Sequence, residues 1–210
     1  MLIYRTPSRI EKVDPLPSWL PVSIEQVKLA ARMDTISTML DDEIVELIEV
    51  VTDRVESFTG IAVRKTAYRA FYDGFPVVMR IVRMPLINGT LEVSRYDEDT
   101  DSYQIIDPDK YQVRKQKNSF ELMCRKSRWL MPGVNNDFLV DSVKVEFSAG
   151  YEEGGEGEEP NENVPPLIQR AIIASVVRYL TSPEPCGDGK LLTLESKRIL
   201  TRYRSGARWL

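Results

Sequence analysis

The sequence predicts an α+β fold: a small helical bundle core with an inserted antiparallel β-meander, and a C-terminal helix or tail. Three observations predict it. Apolar residues recur at helical spacing over 41–59, the period changes to two from about Thr66 to Ser148, and a helical stripe returns after Pro165 and Pro166. The chain then divides into an extended arm over 1–22, a main domain over 23–189 and a basic tail over 190–210.

The arm carries Pro7, Pro15, Pro17 and Pro21, which forbid regular helix. Its apolar residues, among them Leu2, Ile10, Val13, Trp19 and Leu20, argue for docking, either on its own body or on a neighbour. A helix over 23–33 starts with a capping box, Ser23 with Gln26, and a hydrophobic staple of Val22 with Val27. The helix over 41–59 has Asp41 as its expected cap, with Asp42 and Glu43 suiting its positive end. Ile44, Leu47, Ile48, Val51, Val55 and Phe58 fall on one face, and Gly60 ends the helix.

The β insertion covers about 66–148. Seven segments, "AYRAFYD", "VVMRIVR", "LEVSRYD", "YQII", "YQVR", "SFELMCR" and "SVKVEFS", alternate or run β-branched and aromatic. Asn88-Gly89 signals a two-residue hairpin, and the short connections predict antiparallel pairing throughout. Asp97, Asp99 and Asp101 occupy the first three ligand positions of a calcium loop. Ser102 stands where that loop needs glycine and Pro108 where it needs glutamate, so a charged hairpin tip is expected.

Residues 151–163 form an acidic loop with Glu152, Glu153, Glu156, Glu158, Glu159 and Glu162. Strand, glycine-rich loop and helix follow in the order of a nucleotide site, but Pro160 replaces the third glycine of G-x-G-x-x-G. The Gly189–Lys190 pair lacks the earlier glycine, with Glu184 there, and is followed by Leu191. The carboxylates repel phosphate, so a nucleotide site is excluded. A helix over 165–182 has Leu167, Ile168, Ala171, Ile172, Ser175, Tyr179 and Leu180 as its expected buried stripe. The tail has a Thr193 cap and a weak stripe of Leu194, Ile199, Leu200 and Tyr203. Lys190, Lys197, Arg198, Arg202, Arg204 and Arg208 face Glu195 alone. Such a segment reads either as a partner-ordered tail or as a frayed terminus.

Composition narrows the chemistry. The 210 residues are 42% hydrophobic and 29% charged, with a net charge of −4 and so no global basic footprint. Two cysteines, Cys124 and Cys186, suit a reducing compartment. No segment approaches the roughly 18 apolar residues of a membrane span. Histidine is absent, which rules out Ser-His and Cys-His chemistry. No catalytic or metal-ligating set is expected, and no cofactor. On residues alone, two other classes stay open: a helical nucleic-acid regulator using the basic C-terminus, and a carboxylate-dependent enzyme.

One ordered set goes further. "PVSIEQVKLAARMD", "DDEIVELIEVVTDRVESFTG", "FYDGFP" and "MPLINGTLEVSRYD" are followed by "DPDKYQV", "VKVEFSAGY" and "VPPLIQRAIIASVVRYL". In this order the chain, from about Pro21 to Arg204, resembles the head–tail connector (adaptor or head-completion) proteins of tailed bacteriophages. The long acidic loop, the arm and the stretch after Leu180 depart from that pattern. The resemblance implies a non-enzymatic virion protein of the neck, assembled in the host cytoplasm. It implies a ring of about twelve copies, with the portal protein on one side and a stopper or tail-completion protein on the other. Genomic DNA would pass through the channel without sequence-specific binding. The portal contact is expected from Leu194, Lys197, Arg198, Ile199, Leu200, Arg202, Tyr203, Arg204, Arg208 and Trp209. Glu152, Glu153, Glu156, Glu158 and Glu159 either line the channel or hang in solvent.

Overall fold

A computed structural model describes residues 4–13, 17–125, 140–155, 159–181 and 192–204. The chain forms two compact units. One holds the described residues up to 13 and Thr66–Gly150; the other holds Pro17–Lys65 and the described residues from Tyr151 onward. The mixture of helices and antiparallel sheets is the expected α+β fold.

The first unit is all β. Its strands are β1 (Tyr4–Arg5), β2 (Arg9–Val13), β3 (Thr66–Tyr72), β4 (Val78–Ile81), β5 (Glu92–Asp97), β6 (Ser102–Ile105), β7 (Tyr111–Lys115), β8 (Phe120–Cys124) and β9 (Val143–Ala149). The seven segments read from the sequence are β3 to β9. They form two sheets, ordered β1-β4-β8-β7 and β2-β3-β9-β5-β6. The spatial order is therefore not that of a simple meander. Strand β9 alternates buried and half-buried residues, and turns Val143, Val145, Phe147 and Ala149 inward. Phe147 stacks on Tyr68 of β3 at 5.5 Å and meets Phe120 of β8 edge-on at 5.1 Å, so its ring joins the two sheets. On the other face of the β3–β9 pair, Arg69 Nε donates to Glu146 at 2.7 Å.

One expectation for this region is decided and two change. The part of the arm up to Val13 docks on its own chain: β2 pairs with β3, and β1 pairs with β4. The β1–β4 pairing is parallel, because the whole of α1 and α2 lies between the two strands in sequence and makes the long connection such a pair needs. Asn88-Gly89 is a turn, with Gly89 at φ 78°, but it closes no hairpin. The strands on either side of it, β4 and β5, belong to different sheets. The turn instead lies on β9: Ile87 N–H donates to Ser148 O at 3.0 Å, and Thr90 Oγ1 accepts from Ser148 N at 3.0 Å.

The second unit is helical: α1 (Ile24–Ala31), α2 (Asp41–Thr59), α3 (Pro166–Thr181) and α4 (Leu194–Leu200), the last followed by a 3-10 turn at Thr201–Tyr203. The Ser23–Gln26 capping box forms as read. Asp41 does not cap α2. Leu40 is the N-cap, without a side-chain bond, and Asp41 is already helical with its carboxylate paired to Lys28. Gly60 ends α2 in the left-handed conformation, at φ 78°. Ile44, Ile48, Val51 and Val55 of α2 are buried with Val22, Val27, Ile168, Ala171, Ile172 and Val176. Leu167 is 38% exposed, because the buried face of α3 runs through Ile168, Ile172 and Val176.

The start of the tail joins this core. Leu192, Ser196 and Leu200, four residues apart, are buried, whereas Leu194 is 78% exposed. The stripe looked weak because its central position is a serine. Ser196 Oγ donates to Ala171 O at 2.9 Å and lies 3.0 Å from Ser175 Oγ, so the buried hydroxyls are satisfied where small side chains let α3 and α4 approach.

Arg64 closes the unit. Residue 64 bridges to Tyr151, Lys65 N–H donates to Tyr151 O at 2.8 Å, and Arg64 Nη1 donates to Pro17 O at 3.1 Å and Trp19 O at 3.0 Å. Two predictions follow from this packing. Leu200→Ala should cost about 2–5 kcal/mol in urea unfolding, while Leu194→Ala stays within about 0.5. Arg64→Met removes the donor to both carbonyls and should cost about 1–3 kcal/mol, with faster hydrogen exchange at the Lys65 amide.

Candidate assembly surfaces

The helical unit carries the residues expected to meet the portal. α4 and its 3-10 turn divide them by face. Leu194, Arg198, Arg202 and Arg204 are exposed; Lys197, Ile199 and Tyr203 are half-buried; Leu200 is fully buried. Leu194, Arg198 and Arg202 recur every four residues and share the solvent side, one apolar contact followed by two guanidinium groups. Leu200 and Tyr203 serve the core instead. Arg204 lies over the Phe58 ring at 5.3 Å, and Glu195 pairs with Arg170 at 3.4 Å. Arg208 and Trp209 lie outside the described residues.

The acidic loop begins at the residue Arg64 holds. Burial raises the Tyr151 phenol above its ordinary pKa, and the neighbouring Tyr203 adds to the shift. The described ends of the loop close on each other: Gly154 N–H donates to Pro160 O at 3.0 Å, and Asn163 Nδ2 donates to Glu153 O at 3.3 Å. Lys65, distant in sequence, meets Glu152 at 2.8 Å, so one carboxylate has a cation that the local sequence does not show. Glu153 and Glu159 are exposed, while Glu156 and Glu158 lie outside the described residues.

The aspartate-rich tip joins β5 to β6, as a charged hairpin turn. Tyr96 donates its hydroxyl to Asp101, and that bond, with burial and the nearby carboxylates, raises the Tyr96 pKa. Among the described residues, no three His, Cys, Asp or Glu side chains converge to hold a metal ion. No described helix is long and apolar enough to cross a membrane.

A third surface escaped the sequence reading. Between α1 and α2, Ile36 and Met39 are 87% and 88% exposed, beside Leu29 at 72%. A cleft of about 250 Å³ lies there, lined by Lys28, Met33, Asp34, Ser37, Met39 and Leu40. Lys28 is only 3% exposed; its ammonium donates to Ser37 O and pairs with Asp41. The available signal was the run "RMDTISTML", whose large apolar residues fit neither flanking stripe.

No protein-family model and no curated protein matches the chain. Solved structures do. A chain from "Neck of empty GTA particle computed with C6 symmetry" superposes with a TM-score of 0.69 at 12% identity, covering 96% of this chain and 97% of that one. A chain from "Virion of native gene transfer agent (GTA) particle" gives 0.68 at 11% identity, with the same coverage. A chain from "Neck of native GTA particle computed with C12 symmetry" gives 0.62 at 12% identity, again with the same coverage. At such identity the likeness is one of fold, and it spans both units. This chain has the fold of chains found in the neck and virion of gene transfer agent particles.

Proposed function

We propose that the chain is a structural protein of a phage-like virion neck: a ring adaptor between the portal vertex and the tail. The ring gives DNA a channel for exit and offers a platform for a stopper or tail-completion protein. The observation that carries this reading is the fold shared, over 96% of this chain, with chains of particle necks computed with C6 and C12 symmetry. It agrees with a sequence that lacks histidine. On this reading the protein assembles in the host cytoplasm and ends in the neck.

The portal contact is assigned to the exposed Leu194, Arg198 and Arg202, with Arg208 and Trp209 beyond them. An aromatic anchor is worth on the order of 1.5–3 kcal/mol, against about 0–1 for a rim charge pair. The acidic loop is assigned to the channel wall, where carboxylates give DNA phosphates nothing to adhere to. DNA passes without sequence-specific binding.

Mass measurement and negative-stain imaging, with and without the portal, test the reading. The protein alone should be mainly single or loosely associated, and a ring should appear on the portal. A fixed small dimer in both conditions, or tight binding to duplex DNA, would overturn it. Removing residues 205–210 should leave melting nearly unchanged, because the buried Leu192, Ser196 and Leu200 are kept, yet give DNA-filled heads that cannot join tails. Trp209→Ala should weaken docking more than Arg198→Ala or Arg202→Ala, as read by co-sedimentation with the portal. Changing Glu152, Glu153, Glu156, Glu158 and Glu159 to Gln should alter stability by less than about 0.5 kcal/mol while changing DNA retention or ejection. Unchanged ejection would remove the loop from the channel wall.

A further inference from the structure

We infer that neighbouring copies of this chain meet through the α1–α2 loop of one copy and the β7–β8 hairpin of the next. The inference rests on the ring reading and names the two surfaces that would build it.

The loop is an apolar surface held open. Ile36 and Met39 project at 87% and 88% exposure. The backbone beneath them is fixed at several points. The buried Lys28 ammonium binds Ser37 O and Asp41; Arg32 turns the chain in the left-handed conformation, at φ 57°; and Asp34 Oδ1 accepts from Ile36 N at 2.9 Å. Water contact at two large apolar side chains gives the single copy nothing. A fixed apolar pair of this kind marks a contact surface. Its surroundings are acidic, with Asp34 in the loop and Asp42, Glu43 and Glu46 exposed on the adjoining turns of α2. An occupant has to bring apolar contact and positive charge together.

The chain itself carries such a surface. Among the described residues β7 is the edge strand of its sheet, and Gln112, Val113, Arg114 and Lys115 are exposed along it, with Arg114 paired to the buried Glu121 of β8. Lys117 in the turn is exposed as well. Val113, 39% exposed, supplies the apolar contact, and Lys115 and Lys117 supply the positive charge. A basic edge resists the addition of another strand, so the contact it offers is through side chains. The charges orient the pair and the apolar groups hold it. The two surfaces are different patches, so the contact is head-to-tail and repeats from copy to copy, as a ring requires. A twofold dimer through the loop would instead set carboxylates against carboxylates.

Disulfide trapping with the full chain tests the pairing. With Cys124→Ser and Cys186→Ser as background, Ile36→Cys plus Val113→Cys should give, on oxidation of the concentrated protein, a ladder of dimers, trimers and longer species. Ile36→Cys plus Thr201→Cys sets the level of random collision. Reversing the loop side (Asp42→Lys, Glu43→Lys, Glu46→Lys) or the hairpin side (Lys115→Glu, Lys117→Glu) should slow ladder formation by about tenfold or more. Mixing the two reversed proteins, or combining both reversals in one chain, should restore it, which a merely misfolded variant would not do. A ladder no stronger than the collision control, or no rescue by the paired reversals, overturns the pairing. If a ring is nonetheless seen on the portal, the proposed function stands and only these surfaces fall. If the ring is absent there too, both fall.

Discussion

A β unit can be inserted into a helical bundle only if the bundle stays closed where the chain leaves it and returns. Among the described residues the chain passes from one unit to the other between 13 and 17, at 65–66 and at 150–151, and Arg64 contacts the helical side of each crossing. Its backbone bridges to Tyr151, and its guanidinium donates to the carbonyls of Pro17 and Trp19. Both guanidinium bonds come from the two hydrogens of one nitrogen, Nη1, which the planar group holds in a fixed direction. With those three strands of chain held together, α1 and α2 on one side of the insertion and α3 and α4 on the other build one core.

That core uses two kinds of packing. α2 contributes branched apolar residues, Ile44, Ile48, Val51 and Val55, that fill volume. The α3–α4 contact uses the small side chains of Ala171, Ser175 and Ser196; the two serine hydroxyls bond to each other, and Ser196 Oγ donates to the Ala171 carbonyl. The second kind keeps a seven-residue helix in place although too few apolar residues line it to do so alone. One consequence is geometric. With α4 fixed by its inner face, Leu194, Arg198 and Arg202 are set on an ordered outer face.

Charge is distributed unevenly over the chain. The outer face of α2 and the 151–163 loop are acidic, while α4 and the β7–β8 hairpin expose Lys and Arg. A net charge of −4 conceals this separation. In the proposed ring the separation matters more than the sum, because opposed patches on one chain would fix the order in which copies and partners meet. The rejected nucleotide reading shows the same point locally. The glycines of the acidic loop have the look of a phosphate cradle, but the carboxylates around them make it a poor place for an anion.

Much of the fold was legible because local chemistry fixes it. The Ser23–Gln26 box, the α2 stripe, Gly60 as its end and the seven strands β3 to β9 each follow from short-range spacing. What the sequence could not give depends on contacts between distant residues. The seating of β1 and β2, the division into two sheets and the failure of Asn88-Gly89 to make a hairpin were decided by strand partners far along the chain. The burial of Leu200 was decided by Ala171 and Ser175, which make Ser196 a good core residue although it reads as polar. Of the candidate surfaces, the sequence named the residues of the basic tail and the acidic loop. Tertiary structure decided which side of α4 faces water, gave Glu152 its partner in Lys65, and exposed Ile36 and Met39 over a buried lysine. The physical reason is common to all of these: periodicity reports what a residue does within its own element, and burial is a property of what packs against it.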